Sequence, residues 1–273
     1  MVKILKYKNV KKISGWLGST DFEIIKILLN KQSILKIDGS VLEIGVHHGK
    51  SFVVMASFSG NSNLYAIDLF DDQSKNIDNS GLGDKKIFFN NLKQFSIDES
   101  RLFIDQRLSN NVTADDIIEK VGKIKFFHID GGHNLEVVLN DINLATQTLT
   151  AGGIVAIDDV FRPEWPEVTI ATFRSEALKK SQLVCFAIGF NKSYFCHKNY
   201  VFIYQELLEK SDFLNVFLTR LYKIKNTPIL IYQNYPLPEW TFRQLLSWYF
   251  KIYTPYVYAF FKIKIKKIQK IFN

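Results

Sequence analysis

Short apolar runs alternate with longer amphipathic segments along the first two thirds of the chain. The runs are residues 39–45, 64–67, 101–104, 126–129 and 154–157. A short apolar run, a segment with helical spacing and a second apolar run form the unit from which parallel sheets are built. Residues 182–188 and 193–197 flank a turn and predict an antiparallel hairpin. The pattern therefore predicts an α/β fold with a mostly parallel sheet that ends in a hairpin.

The composition changes after residue 200. Residues 204–222 and 239–253 have the spacing of amphipathic helices, and residues 260–273 alternate isoleucine with lysine. We therefore predict three parts, which are an N-terminal helical segment (1–37), an α/β domain (38–200) and a helical, aromatic and basic C-terminal extension (201–273). No internal repeat or low-complexity segment is present.

The C-terminal stretch places Phe261, Ile265, Ile268 and Phe272 on one side of a basic helix. A helix of this kind can lie on a membrane surface. It can equally pack on its own domain or on a partner subunit, as in a homo-oligomer. The sequence alone leaves these three arrangements open.

The bulk composition is that of an ordinary globular protein. Of 273 residues, 47% are hydrophobic and 23% are charged, which suffices for one well-cored domain with an extension. Much of the net charge of +8 lies in the C-terminal tail, so we expect no nucleic-acid partner. Two cysteines, no apolar stretch of a signal peptide and no long apolar run predict a cytoplasmic protein with reduced thiols.

Acidic side chains follow two of the predicted strands. Asp130 ends the run at residues 126–129, with His133 three residues later, and Asp158 and Asp159 end the run at residues 154–157. Ligands bind outside the carboxyl ends of parallel strands, so these four side chains should converge at one edge of the sheet. Three carboxylates in one crevice repel each other unless a cation or a substrate offsets their charge. The sequence therefore predicts a binding site here.

A glycine turn follows the first strand in the spacing E-x-G-x-x-x-G, formed by Glu43, Gly45 and Gly49. It differs from the G-x-G-x-x-G spacing of dinucleotide-binding turns, which makes a NAD-dependent dehydrogenase a distant alternative. It also lacks the first glycine of a phosphate-binding loop, because Ile44 holds that position. Asp68 ends the second strand, where an acid can bind both hydroxyls of a ribose. Together the two features indicate a nucleoside-bearing cofactor.

Four motifs in this order resemble the class I S-adenosylmethionine-dependent methyltransferases, in particular the bacterial sugar and small-molecule O-methyltransferases of macrolide and aminocoumarin pathways. They are EIGVHHGKS (residues 43–51), DLF (68–70), FHIDGGH (127–133) and GGIVAIDD (152–159). The resemblance covers about residues 38–200. It implies a Rossmann-like, doubly wound, mostly parallel sheet of seven strands with a terminal antiparallel hairpin.

The resemblance also implies roles for individual residues. It assigns binding of S-adenosyl-L-methionine to Glu43, Gly45, Gly49, Ser51, Asp68, Ser109 and Asp130. In the sugar enzymes of this group a divalent cation, here Mg²⁺, is held at the positions that match Asp130, Asp158 and Asp159. His133 matches a histidine that acts as general base in some members. The competing interpretation is a metal-free methyltransferase in which the aspartates are generic residues at strand ends.

The expected function is therefore Mg²⁺-assisted O-methylation of a hydroxyl on a sugar or another polyhydroxylated acceptor, either a small molecule or a glycan. One alternative keeps the cofactor and takes a phenol or catechol as acceptor. Another is a non-catalytic S-adenosylmethionine-binding module that the C-terminal extension docks to a membrane or a complex.

Overall fold

The computed structural model describes residues 5–76, 78, 80–224, 227–232 and 241–272. Within these residues nine strands form one sheet in the order β3-β2-β1-β4-β5-β7-β6-β9-β8. The strands are β1 Ser40–Ile44, β2 Leu64–Ile67, β3 Leu102–Asp105, β4 Ile124–Ile129, β5 Leu149–Asp158, β6 Leu183–Ile188, β7 Lys192–His197, β8 Arg220–Ile224 and β9 Thr227–Ile231. Strands β1 to β5 run parallel, and β7 lies antiparallel between β5 and β6.

Twelve α-helices accompany this sheet among the described residues. They are α1 Tyr7–Val10, α2 Ser19–Ile34, α3 Lys50–Phe58, α4 Lys85–Gln94, α5 Ala114–Val121, α6 Leu135–Thr148, α7 Pro166–Arg174, α8 Glu176–Lys180, α9 Val201–Glu209, α10 Asp212–Phe217, α11 Phe242–Tyr253 and α12 Pro255–Phe272. No described helix has the length and apolar content needed to cross a lipid bilayer.

Alternating strand residues supply two hydrophobic cores, one on each face of the sheet. Phe126 packs with the core formed by helices α2, α3, α4, α9, α10 and α12, and the next residue, Phe127, packs with the core formed by α5 to α8. Period-two alternation in a sheet that is covered on both faces explains why these strands are apolar throughout. The structure confirms the predicted α/β, Rossmann-like, mostly parallel fold and its β6–β7 hairpin.

The predicted number of seven strands is wrong, because the C-terminal extension adds two. Strands β8 and β9 form an antiparallel hairpin, and β9 pairs in parallel with β6. The extension is therefore only partly helical. Residues 220–222, predicted as the end of a helix, lie in β8. The stretch with prolines begins as β9, which tolerates Pro228 because that residue lies near the strand's start. Residues 233–240 lie outside the described part of the chain.

Candidate active site

The carboxyl ends of β1, β2, β4 and β5 open into a cavity of about 550 Å³. That volume lies in the range of small-molecule and cofactor sites. Described residues of the loop between β2 and α4 (69–76, 78 and 80–84) form one wall, and the segment after β5 forms another. Gly45, Asp68, Ser109, Asp130, His133, Asp158 and Asp159 all line the cavity, whereas Glu43, Gly49 and Ser51 do not. Most of the residues predicted from the sequence therefore meet in one place.

Gly45 joins the tips of β1 and β4. It has a φ of +82°, and a Cβ at this position would lie 1.7 Å from the carbonyl oxygen of Asp130. The backbone N–H of Asp130 donates to the carbonyl of Ile44, which fixes the same contact from the other side. Only glycine fits this position. Gly49 instead begins α3 and faces the ring of Phe88, so its role is packing.

Asp68 organises two loops at the tip of β2. Its carboxylate accepts the backbone N–H of His47 at 2.8 Å and the backbone N–H of Phe70. Both donors have left-handed backbone conformations, with φ of +51° and +47°, which non-glycine residues adopt at an energetic cost. Burial raises the pKa of Asp68 above its usual value. Since an ionised carboxylate has about four acceptor positions, Asp68 retains capacity for hydroxyl donors from a ligand.

Ser109 forms the cavity wall beyond the tip of β3, next to a buried acid. Asp141, on α6, accepts a hydrogen bond from Asn140 at 3.2 Å, and Ser109 also hydrogen-bonds it. Burial, which outweighs these two hydrogen bonds, raises the pKa of Asp141 to about 7. Ser109 is thus held in place by an acid that the sequence analysis did not identify.

His133 is held between two carboxylates. Its Nδ1 lies 2.8 Å from Oδ2 of Asp78, which also accepts the His133 backbone N–H, and its Nε2 lies 3.1 Å from Oδ2 of Asp159. Trp165 stacks on the imidazole with ring centroids 4.2 Å apart. Burial favours the neutral ring, but the hydrogen bonds to Asp159 and Asp78 prevail and raise the pKa of His133 to about 9. At neutral pH this histidine is an imidazolium, which has no lone pair for a proton.

Two groups of side chains could hold a cation among the described residues: Glu43, His128 and Asp130, which are largely buried, and Asp130, His133 and Asp159, which line the cavity. Within each group, one ligand atom of each residue lies within 4.8 Å of the others. Burial and the nearby Asp158 carboxylate raise the pKa of Asp130 well above its usual range. That perturbation is typical of carboxylates brought together without a bound cation. We call Asp78, Asp130, His133 and Asp159 the open cluster.

Asp158 is engaged by a buried lysine, although it lines the cavity and is adjacent to Asp159 in sequence. Its carboxylate forms an ion pair with the ammonium of Lys192 on β7, a lysine that is only 1% exposed. The same ammonium lies 3.9 Å from Oδ2 of Asp130. Although burial opposes it, the carboxylates of Asp158 and Asp130 raise the pKa of Lys192, which therefore stays charged. The predicted trio of aspartates is thus divided by a lysine from the protein itself.

Backbone geometry produces this division. Asp159 has a φ of +58°, which turns its side chain out of the strand's alternation. The side-chain amide of Asn191 then donates to Oδ1 of Asp159 at 2.6 Å. Asp158 keeps the strand geometry and remains 4% exposed.

Glu43 and Ser51 lie beneath the cavity floor and not against a ligand. The hydroxyl of Ser51 donates to Oε1 of Glu43, and Nδ1 of His128 lies 2.6 Å from the same oxygen. Burial raises the pKa of Glu43 to about 8 and lowers the pKa of His128 well below its usual value, so both are neutral near pH 7. We call Glu43, His128, Asp158 and Lys192 the sealed cluster.

Several residues of the site were not identified from the sequence, and four of them bear on its chemistry. They are Trp16, Asp78, Asn191 and Lys192. Lys192 was predicted to lie in the turn of the hairpin, but it begins β7 and is buried there with a carboxylate partner, as a buried lysine requires. Trp16 lines the cavity with 69% of its surface exposed. Nothing in the local pattern distinguishes Asp78 from the other polar residues of its loop.

Residues 42–160 match a family model described as a methyltransferase domain. No curated protein matches the sequence. Among solved structures, the O-methyltransferase NovP is similar with a TM-score of 0.57 and 14% identity, over 66% of this chain and 80% of NovP. CalS11, a TDP-rhamnose 3'-O-methyltransferase of calicheamicin biosynthesis, matches with a TM-score of 0.46 and 18% identity, over 64% of this chain and 78% of CalS11.

The family model runs from the middle of β1 to just past the end of β5, which is the part of the sheet whose strand tips build the cavity. NovP shares the fold beyond that segment. Residues 42–160 thus match a methyltransferase domain, and the chain shares its fold with an O-methyltransferase.

Proposed function

We propose that this chain transfers a methyl group from S-adenosyl-L-methionine to a hydroxyl of a sugar or another polyhydroxylated small molecule, with assistance from one divalent cation. The observation that carries the proposal is that Asp68 and the open cluster line the same cavity. A cofactor bound at Asp68 and an acceptor bound at the open cluster would therefore lie side by side. Bringing donor and acceptor together in one cavity is a major part of catalysis by group transfer.

The cavity suits the cofactor at its Asp68 end. The methyl group is supplied by the cofactor's sulfonium. Asp68 retains acceptor positions for ribose hydroxyls, the backbone at Gly45 is open to the cavity, and Ser109 lies on the wall beyond β3. Glu43, Gly49 and Ser51 support this end from below or behind and have no direct contact with the cavity. Their contribution is to hold the turn after β1.

The open cluster suits a hard cation. Mg²⁺ prefers oxygen ligands and keeps several waters, so two carboxylates and open space beside them are a sufficient protein contribution. Asp130 and Asp159 supply those carboxylates, while the ion pair with Lys192 engages Asp158. A cation here would lower the pKa of an acceptor hydroxyl. We therefore propose Asp130 and Asp159 as the metal ligands, with Asp158 removed from the predicted set.

His133 is our proposed general base, provided that its environment becomes less negative than in the structure described. Engagement of Asp159 by a cation would remove one of the two carboxylates that raise the pKa of His133. Its Nε2 would then be free to accept a proton near neutral pH. The hydrogen bond to Asp78 and the stacked Trp165 ring would keep the imidazole in place.

The polar side chains that line the cavity favour a polyhydroxylated acceptor over a phenol. Many of the residues that line the cavity carry side-chain hydrogen-bonding groups, including Gln73, Asn76, Ser80, Arg162, Glu164 and Asn191. Polar groups at this density match a ligand with several hydroxyls. Trp16 and Trp165 add two aromatic faces on which the apolar side of a sugar ring can pack.

An acceptor screen with methyl-labelled S-adenosylmethionine tests the proposal. The panel contains nucleotide-linked deoxysugars, simple glycosides and catechols, each assayed with Mg²⁺ and after chelation. We expect label transfer to a sugar hydroxyl that stops after chelation and returns with Mg²⁺. Preferential methylation of the catechols would refute the acceptor class, and full activity in chelator would refute the cation.

A further inference from the structure

Helices α11 and α12 present apolar side chains to solvent, and we propose that this surface docks the protein onto an anionic membrane. The inference rests on the C-terminal extension alone and is independent of the proposed reaction. We define the docking surface as the exposed apolar residues of the two helices. They are Phe242, Leu245, Leu246, Tyr249, Phe250 and Tyr253 on α11 and Val257, Phe260, Phe261 and Ile265 on α12.

The exposed residues of α11 recur at the spacing of one helix face. Positions 242, 245, 246, 249, 250 and 253 follow the i, i+3, i+4, i+7 pattern that a globular helix normally turns toward its core. Here each of them is at least 41% exposed, and α11 contains no buried residue among those described. The apolar stripe of α11 thus faces solvent. This is the reverse of the usual arrangement and marks a surface that something covers.

The other side of α12 is fixed to the protein. Ala259 is buried in the core that contains α10, the ring of Tyr256 stacks on Phe213 at 4.7 Å, and the Tyr256 hydroxyl hydrogen-bonds Glu23 at 3.1 Å. On α11, the ammonium of Lys251 lies 5.4 Å from the centroid of the Phe217 ring. These contacts anchor the two helices to α2 and α10. The sequence left three arrangements open, and one of them was packing on the chain's own domain. That packing covers only one side of α11 and α12.

The charge of this segment identifies the kind of surface that would cover the other side. Residues 241–273 contain six lysines and one arginine and no acidic residue, so they carry +7 of the net charge of +8. Among the described side chains, Arg243, Lys262 and Lys264 are exposed beside the apolar residues. Aromatic side chains with interspersed lysines are the composition of helices that lie in the headgroup region of anionic bilayers.

A second copy of the chain fits this surface less well. A two-fold symmetric interface would bring the same patch on each copy face to face. Both patches would carry only positive charge, and none of residues 241–273 supplies an acid to neutralise it. Anionic headgroups remove that repulsion, and the apolar side chains can enter the boundary between headgroups and acyl chains.

Vesicle flotation of the full-length protein tests the proposal. One set of vesicles is phosphatidylcholine alone and the other contains about one third phosphatidylglycerol, both at about 0.1 M salt. We expect the protein to float with the anionic vesicles and to bind the neutral vesicles about tenfold more weakly. Raising the salt to about 0.5 M should weaken the anionic binding, because the lysine contribution is screened.

Matched variants assign the binding to the docking surface. Phe250→Glu alters α11, and Phe173→Glu alters a phenylalanine of α7, which packs on the opposite face of the sheet and has almost the same exposure, 48% against 46%. We expect Phe250→Glu to weaken binding about tenfold and Phe173→Glu to leave it unchanged. Lys262→Gln combined with Lys264→Gln should weaken binding to anionic vesicles only. Unchanged far-ultraviolet circular dichroism and an unchanged thermal midpoint show that each variant is folded.

Three results would overturn the proposal. The first is failure of the full-length protein to float with anionic vesicles. The second is equal loss of binding in Phe250→Glu and Phe173→Glu. The third is a dimer, detected by light scattering without vesicles, that Phe250→Glu dissociates while vesicle binding stays absent. This last result would assign the surface to a second copy of the chain.

Discussion

The open cluster and the sealed cluster lie within a few ångströms of each other, and they balance their charges in opposite ways. In the sealed cluster Lys192 neutralises Asp158, and burial keeps Glu43 and His128 uncharged. In the open cluster the carboxylates of Asp78 and Asp159 flank one imidazolium, and the carboxyl group of Asp130 lies beside them in the same cavity. The first arrangement balances its charges without a ligand, although Oε2 of Glu43 and Nε2 of His128 have no hydrogen-bond partner among the described residues. The second arrangement retains negative charge that a cation can offset.

The difference teaches that proximity in sequence does not determine which carboxylates form a site. Asp158 and Asp159 are neighbours in the chain, yet the positive φ of Asp159 assigns them to different clusters. Binding energy for a cation is therefore expected from Asp130 and Asp159. The sealed cluster packs beneath those two side chains and helps to hold them in position.

Removing a charge from the open cluster should have the largest effect on activity. Asp159→Asn removes a proposed cation ligand and a hydrogen-bond partner of His133. We expect methyl transfer to fall on the order of 10⁴-fold, because charge stabilisation by a bound cation contributes several kcal/mol. Binding of S-adenosylhomocysteine, measured by calorimetry, should change less than about threefold. Wild-type turnover in this variant would contradict the assignment.

Removing the cation of the sealed cluster should affect folding instead. Lys192→Met leaves Asp158 buried without its partner, so we expect the free energy of unfolding to fall by about 3–5 kcal/mol in urea denaturation. The double variant with Asp158→Leu removes both charges and should recover most of that loss. An equal loss of stability in Asp159→Asn would show that the two clusters do not differ as described.

The buried acid beneath Ser109 gives a pH dependence of stability. The pKa of Asp141 rises from 3.8 to about 7 on folding, so the folded chain holds a proton that the unfolded chain has lost between these pH values. This contribution is complete below about pH 4 and is lost as the pH rises to about 7. Relative to Asp141→Asn, wild-type stability should fall by about 2 kcal/mol from pH 5 to pH 7. Parallel unfolding curves for the two proteins across this range would refute the shift.

The smallest effect is expected at the aromatic wall of the cavity. Trp16 has no part in either cluster and lies 5.9 Å, between ring centroids, from His47. Trp16→Ala should raise KM for the acceptor about tenfold and leave kcat nearly unchanged, which is the signature of lost binding without lost chemistry. Phe173 is another exposed aromatic residue, but it lies outside the cavity, so Phe173→Ala should leave both constants unchanged.

The sequence was sufficient for the parallel strands and for the convergence of Asp68, Asp130, His133 and Asp159, because strand tips in such a sheet meet at one edge. It did not identify the partners of these residues. Asp78 reaches His133 from a loop without periodicity, and Lys192 reaches Asp158 across the pairing of β5 with β7. Both depend on long-range register, which local patterns do not encode. The two added strands were missed because their short runs follow an amphipathic helix and include a proline.

Binding of Mn²⁺, as a paramagnetic substitute for Mg²⁺, tests the central claim most directly and requires no knowledge of the acceptor. Titrations followed by electron paramagnetic resonance would be made on the wild type, Asp130→Asn, Asp159→Asn and Phe173→Glu, each with S-adenosylhomocysteine present. We predict one bound ion per chain in the wild type and in Phe173→Glu, and at least about tenfold weaker binding in both aspartate variants. No specific Mn²⁺ binding by the wild type, or equal affinity in Asp159→Asn, would contradict the account.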